Sequence, residues 1–371
     1  MHGPGGTLQL QECCHRRIMK IALVAPLYEA VPPKLYGGTE RIVAYLADSL
    51  ADLGHDTTLF ATADAITRAT LVPVRDQAIR LDPAPLKSDL AAHLAMLHEV
   101  RRRAHEFDVL HFHVDLLHFP MFEDMADRTV TTLHGRLDLK DLPEAYWRWP
   151  QFPLVSISDH QRRPLRFARW LGTVPHGLPT SLLPYSAAPE GGGYLAFLGR
   201  ISPEKRPDRA IAIAKRSGIP LKIAAKVDPA DRAYFTHEIR PLLDDPLVEY
   251  IGEINDADKA RFLGNARALL FPIDWPEPFG LVMIEAMACG TPVIAWPCGS
   301  VPEVLDEGIT GRVVQDEEEA AAAVAEVATY DRRRIRNVFE RRFSAEAMAH
   351  HYVDLYHRLL RERDAGELLT A

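Results

Sequence analysis

The chain has 371 residues, of which 47% are hydrophobic and 25% charged, with a formal net charge of −8. This length favours two core-bearing domains over one, and the acidic balance argues against a general affinity for nucleic acid. Four cysteines without a C-x-x-C pair supply neither a disulfide framework nor a zinc-finger pattern, which makes a reducing cytoplasm the expected location.

Residues 1–18, rich in Gly, Gln, Cys and Arg, have neither helical nor strand period and read as a disordered extension whose deletion leaves stability and activity unchanged. The apolar stretch after Arg16 and Arg17 is interrupted by Lys20 and lacks a cleavage site, so it is not a signal peptide, and no run is long enough to span a bilayer. From Lys20 the pattern is strand, loop, helix, strand. Residues 21–27 are apolar, Gly37-Gly38 lies in the loop, and Val43, Leu46, Leu50 and Leu53 recur at helical spacing before Gly54 ends the helix. Further strands are predicted at 57–61, 108–112, 129–133 and 154–157, with a helix at 89–103. The Pro-, Ser- and Gly-rich residues 179–193 read as a linker. A second unit repeats the style, with strands at 194–198, 221–225, 248–251, 268–271 and 293–296 and a helix at 207–217. Such alternation implies parallel sheets covered on both faces. The expected domains are residues 19–178 and 190–344, with a final helix from about 345 packing back across the first.

In open α/β sheets ligands bind beyond the carboxyl ends of the strands, so the residues after each strand carry the functional argument. The most informative run is Glu277-Pro278-Phe279-Gly280-Leu281, continuing to Glu285. The prolines exclude helix until about Phe279, and free N–H groups near Gly280 and Leu281 then offer a diphosphate site between two carboxylates. Gly37 and Gly38 lead into the first helix and let backbone approach an anion; they are not the G-x-G-x-x-G of a dinucleotide binder. His134 and Gly135 follow the 129–133 strand. Arg200 and Lys205 share one loop, where two cations can neutralise a diphosphate.

Taken together, these segments resemble the family-four retaining glycosyltransferases of the GT-B fold, from Met19 to near the end of the chain. Cys289-Gly290-Thr291-Pro292-Val293, Gly299 to Glu303 and Gly308 to Gly311 extend the likeness. The resemblance implies an α/β fold of two facing Rossmann-like domains, a nucleotide-diphosphate sugar held mainly by the second, a hydroxyl-bearing acceptor on the first, and no catalytic metal or cofactor. It implies that Arg200 and Lys205 hold the diphosphate, Glu285 the ribose, Glu277 the transferred sugar and Gly38 a phosphate, while His134 lines the reacting centre. Gly37, Phe279, Gly280 and Leu281 complete the expected donor site. Arg206 departs from the family, which commonly has glycine there. UDP-glucose is the donor expected from family frequency, and its base is expected to be read near residues 252–255. The rival readings are a sugar-nucleotide epimerase or phosphorylase of similar fold, and a nucleotide-sugar-binding scaffold without transfer activity.

Three further features have a plainer alternative. Arg162, Arg163, Arg166 and Arg169 alternate with Leu165, Phe167 and Trp170, a pattern that allows a short helical face on the inner side of an anionic membrane or a basic segment packed through its aromatics. Trp147 and Trp149 beside Tyr146 suit stacking on an acceptor or burial, with residues 136–146 and 64–67 shaping the acceptor pocket. His111 and His113 share one strand face with Asp115 beyond, a spacing that suits a metal or, more commonly, hydrogen bonding.

Overall fold

The computed structural model describes residues 18–34 and 37–370. The extension expected at residues 1–18 lies, apart from Ile18, outside the described residues.

Among the described residues thirteen strands form two sheets, parallel throughout. The first comprises β1 (Lys20–Val24), β2 (Asp56–Thr62), β3 (Thr70–Arg75), β4 (Val109–Phe112), β5 (Thr129–Thr132), β6 (Leu154–Ser156) and β7 (Trp170–Thr173), in the order β3-β2-β1-β4-β5-β6-β7. The second comprises β8 (Tyr194–Arg200), β9 (Leu221–Lys226), β10 (Val248–Gly252), β11 (Ala266–Phe271), β12 (Val293–Ala295) and β13 (Gly311–Val313), in the order β10-β9-β8-β11-β12-β13. This is the expected α/β architecture of two Rossmann-like units. In each sheet the order reverses beside the first strand, between β1 and β4 and between β8 and β11. Chain leaving those strands turns to opposite sides and opens a crevice, so the glycine pair after β1 and the carboxylate loop after β11 fall where a ligand can enter.

Helices cover both faces, which is why the central strands read as unbroken apolar runs. In β1, Ile21 and Leu23 pack with Ile42, Leu46 and Leu50 of helix Gly38–Asp52, while Ala22 and Val24 face Met96, Leu97 and Val100 of helix Asp89–Arg103. Each such buried Ile, Leu, Val or Met side chain contributes roughly 1.5–3 kcal/mol by leaving water. The first of these clusters runs on through Met283, Ile284 and Met287 of helix Leu281–Ala288, so one apolar layer joins the two units.

The elements the sequence hid are mostly at sheet edges. β3, with Pro73 and a half-exposed pattern, β7 and the three-residue β13 each pair on one side only, and an edge strand lacks the apolar signature of a central one. Helix Arg332–Arg342 was masked by its arginines. Two of these are structural: Arg332 donates to the carbonyls of Ser186, Gly264 and Ala266, and Arg336 to those of Thr180, Leu183 and Ala288. The segment read as a linker is therefore fastened to the second unit. The final helix, Ala345–Thr370, packs on helix Gly38–Asp52 and β7 of the first unit. Its buried Tyr352 and Tyr356 hydrogen-bond Thr132 at 2.9 Å and His111 at 2.7 Å. Among the described residues no helix is long and apolar enough to cross a membrane.

Candidate active site

A cleft of about 670 Å³ lies between the carboxyl edges of the two sheets, and every residue singled out for donor binding or catalysis lines it. Helix Gly38–Asp52 and helix Leu281–Ala288 point their N-termini into it from opposite sides. A Cβ built on Gly38 would come within 4.0 Å of Leu281 Cδ1, so two sets of free N–H groups flank one anion-sized space. Gly280, at φ +80, starts the second helix in the left-handed region, where a Cβ would press on Met283 Cε at 2.8 Å; only glycine fits this turn.

The two cations differ in their surroundings. Lys205 pairs with the Glu277 carboxylate and sits over the Trp275 ring at 4.9 Å. Arg200 lies among Glu204 at 3.0 Å, Asp228 at 3.3 Å and Asp231 at 3.8 Å, which partly neutralise it. Arg206 next to Lys205 is left-handed, φ 52 and ψ 54, and is held by Asp208 and Asp274 at 2.7 and 3.0 Å. A position with positive φ accounts for glycine in the family, and these two ion pairs offset the strain of an L side chain.

Glu277 also accepts a hydrogen bond from Trp275 Nε1 at 3.0 Å. Its loop is clamped from two sides. Ser158 Oγ of the first unit donates to Pro278 O at 2.7 Å; Ser300 N and Oγ donate to Glu277 O at 3.0 Å and Phe279 O at 2.8 Å. Gly299 packs so closely that a Cβ there would lie 2.2 Å from Glu277 O. Glu303, just beyond, accepts from Asp159 N and His160 N of the first unit at 2.6 and 2.7 Å. Phe279 is 3% exposed, with its ring 5.0 Å from that of His176, so it contributes mainly a wall.

Glu285 accepts from Lys259 Nζ at 2.9 Å, Lys259 also meets Asp256 at 3.2 Å, and Asp256 takes Arg41 from the opposite unit. Burial works against the Lys259 charge, but Glu285 and Asp256 outweigh it and raise its pKa. This ladder of alternating charge crosses the cleft. Asp256 and Lys259 escaped the sequence reading because nothing in D-A-D-K distinguishes them from a solvated helix end. They adjoin residues 252–255, of which Glu253, Ile254 and Asn255 line the cleft.

His134 heads a column of histidines. Its Nε2 lies 2.9 Å from His113 Nδ1, its ring stacks on that of His176 at 5.2 Å, and His113 packs tilted against His111 at 4.1 Å. Burial pushes all four below the ordinary imidazole range, His134 to about 3. His111 has both nitrogens engaged, by Tyr356 and Thr132, so the pair reads as hydrogen-bonded rather than metal-ligating; among the described residues no group of three His, Cys, Asp or Glu is arranged around a metal. His176 was missed, although Val174-Pro175-His176-Gly177 repeats the His-Gly signal after a strand, because β7 had gone unrecognised.

Residues 162–170 are not an amphipathic helix. A 3₁₀ turn, His160–Leu165, leads to β7. Arg162 turns inward to Ser156 and Thr173, Arg169 binds Gln151 O at 2.9 Å, and Leu165 is buried. Arg163, Arg166 and Phe167 stay exposed, with Phe167 against the exposed Trp147 at 5.2 Å. Tyr146 is a core residue, and Trp149 donates to Glu123 at 2.6 Å. Arg136 caps the Trp275 ring across the cleft at 5.4 Å.

Two parallel sheets, facing helix starts and a carboxylate-lined cleft suit a sugar-transferase class of site, and the sequence comparisons agree. The family Glycosyltransferase Family 4 matches residues 36–172, and Glycosyl transferases group 1 matches residues 184–340. The chain belongs to the family-four glycosyltransferases of the GT-B fold. It is similar to a phosphatidyl-myo-inositol mannosyltransferase of Mycobacterium leprae, 27% identical over 350 residues that cover 84% of this chain and 87% of that protein. In fold it is similar to sucrose-phosphate synthase from Thermosynechococcus elongatus, with TM-score 0.73, 20% identity and coverage of 92% and 99% of the two chains. An Anabaena protein solved with UDP-glucose gives TM-score 0.64 at 18% identity, with coverage of 94% and 100%.

Proposed function

We propose that this transferase moves a hexose from a nucleotide-diphosphate sugar to a hydroxyl of a glycan, lipid or small-molecule acceptor, with retention at the anomeric carbon. The observation that carries the reading is the pairing of Lys205 with Glu277 between the opposed helix starts at Gly38 and Gly280. A diphosphate seated there meets Lys205, Arg200 and two helix dipoles, and a sugar beyond it meets Glu277, whose second oxygen is left to accept from a hydroxyl. Glu285, paired with Lys259, suits the ribose hydroxyls. The bond from the anomeric carbon to the phosphate oxygen breaks, the acceptor oxygen bonds from the same face, and its proton passes to the departing phosphate, while Arg200 and Lys205 stabilise the developing charge. These groups belong to the protein, so transfer is expected to continue in the presence of a metal chelator.

The test is binding and slow hydrolysis of a panel of UDP-, GDP- and ADP-sugars, beginning with UDP-glucose, beside Glu285→Ala and Arg200→Ala. Binding of one donor, weakened in both variants, supports the reading. A folded protein that binds none favours a scaffold, and interconversion of donor sugars without transfer favours an epimerase. A peripheral contact with the inner face of an anionic membrane is proposed through Arg163, Arg166, Phe167 and Trp147, in place of the wider 162–170 face, and failure to bind anionic vesicles at low salt refutes it.

A further inference from the structure

Asp115 follows β4 in a left-handed turn, with φ 49. Among the described residues the other non-glycine at positive φ is Arg206, and its ion pairs with Asp208 and Asp274 offset the strain. Asp115 has no such return, because its carboxylate makes no hydrogen bond or ion pair with the described residues. A strained backbone without a structural partner points to a functional constraint.

The sheet order says where Asp115 stands. β4 lies between β1 and β5, with neighbouring strands about 5 Å apart, and His113 N donates to Val24 O at the end of β1 at 3.0 Å. The loop that carries Asp115 therefore emerges between the loop of Lys34 and Gly38 and the loop of His134 and Arg136, all four of which line the cleft. His113, two residues earlier, has its ring 5.1 Å from that of His134. The unpartnered ring nitrogens of that column are buried, whereas the Asp115 side chain is open to solvent. Enough protein surrounds it, even so, for desolvation to raise its carboxyl pKa, and no cation of the diphosphate site pulls it back. Accessible and partly desolvated at once, the group has the setting of a recess in the surface. Its charge adds to burial in raising the Tyr146 phenol, so it lies toward the segment 136–146, on the acceptor side.

We propose that Asp115 is an acceptor-binding residue, which accepts hydrogen bonds from adjacent hydroxyls of a sugar or polyol ring and so orients the hydroxyl that attacks. The proposal rests on the transferase reading above and narrows its acceptor to a polyhydroxylated one. An ionised carboxylate has two oxygens and only acceptor capacity. In a partly desolvated recess it gains most from a ligand that brings two donors, which neighbouring ring hydroxyls supply; a phosphate repels it and an alkyl chain leaves it unpaired. The attacking hydroxyl still gives its proton to the departing phosphate, and Asp115 holds the ring without taking one. A free saccharide and a glycolipid headgroup share this chemistry.

The experiment uses the full chain with UDP-glucose, or whichever donor the panel identifies, and follows nucleotide release in water alone and with methyl β-glucoside, hexyl β-glucoside or cyclohexanol added. Both glucosides are expected to accelerate release, while cyclohexanol, a six-membered ring with a single hydroxyl, is not. A larger effect of the hexyl form assigns the ring to a lipid headgroup, and an equal effect assigns it to a free saccharide. Asp115→Asn keeps the size of the side chain and tolerates the left-handed backbone. Its KM for the glucoside should rise roughly tenfold to a hundredfold, the scale of hydrogen bonds to a charged group, with donor KM, release in water and melting temperature unchanged. An unaltered glucoside KM in Asp115→Asn, a melting temperature lowered by several degrees, or acceleration by cyclohexanol alone overturns the proposal. A wild type that binds no donor refutes the transferase reading, whereas donor binding without acceleration by either glucoside refutes this proposal alone.

Discussion

Acid should unfold the first unit well before its carboxylates titrate. His111, His113, His118 and His176 are buried and His134 is half-buried, and desolvation lowers the pKa of each, His134 to about 3 and the others well below the ordinary value. In the unfolded chain each returns to about 6.5. Below that pH the unfolded state binds protons that the folded state refuses, so stability is full above neutrality and falls as pH drops through 6.5. At pH 5 the unfolded pKa lies about 1.5 units above the solution pH, which is ~2 kcal/mol per histidine and ~10 kcal/mol for the five. That rivals the whole stability of an ordinary domain. Glu40 and Asp115, whose carboxyls are raised by burial, act in the opposite direction, but they are two groups against five. Urea unfolding followed by circular dichroism at steps from pH 7.5 to 5 measures the effect. His118, stacked on Phe112 at 3.8 Å and bonded to Thr131 at 3.1 Å, gives a control away from the cleft. In His118→Phe the loss between pH 7.5 and 5 should be smaller by ~2 kcal/mol. A wild-type unfolding free energy that is flat over this range would refute the reasoning.

Three substitutions probe the cleft. Glu277→Ala should lower turnover roughly tenfold to a thousandfold, the range for one polar transition-state contact; steady-state kinetics near wild type would remove Glu277 from the reacting sugar. Gly299→Ala drives a Cβ into the Glu277 backbone at a φ of +63, so thermal melting should report a loss of roughly 2–4 kcal/mol, with donor binding impaired; an unchanged melting temperature contradicts the close packing. Glu303→Ala leaves the Asp159 and His160 N–H groups without their acceptor, at ~1–3 kcal/mol for each one kept from water. Small-angle scattering should then detect a wider spread of separations between the two units, whereas a profile identical to wild type would show that Glu303 does not hold them together.

The central strands and the residues just after them were legible because both carry local signals. Buried parallel strands are continuous apolar runs, and Gly38, His134, Lys205 and Glu277 stand at the ends of such runs, where topology directs ligands. What the sequence concealed depends on partners distant in the chain. Lys259 matters only because folding brings it to Glu285, and Arg41 only because it reaches Asp256. Arg332 and Arg336 carry no local signal of their role, yet they bind backbone carbonyls of the supposed linker. Residues 162–170 carried a period that suited a lipid face, but Arg162 and Arg169 satisfy groups of the neighbouring strands instead.

The final helix has a consequence for synthesis. Tyr352 and Tyr356 close the hydrogen bonds of Thr132 and His111 inside the first unit, yet they are made long after β7 has left the ribosome. At the usual ~5–20 residues per second, the first unit waits roughly ten to forty seconds for the segment that seals its histidine layer. During that interval the nascent chain exposes an apolar face in the crowded cell, and the second unit must be completed before the first can finish. The order in which the polypeptide emerges is thus the reverse of the order in which its two halves reach their final packing.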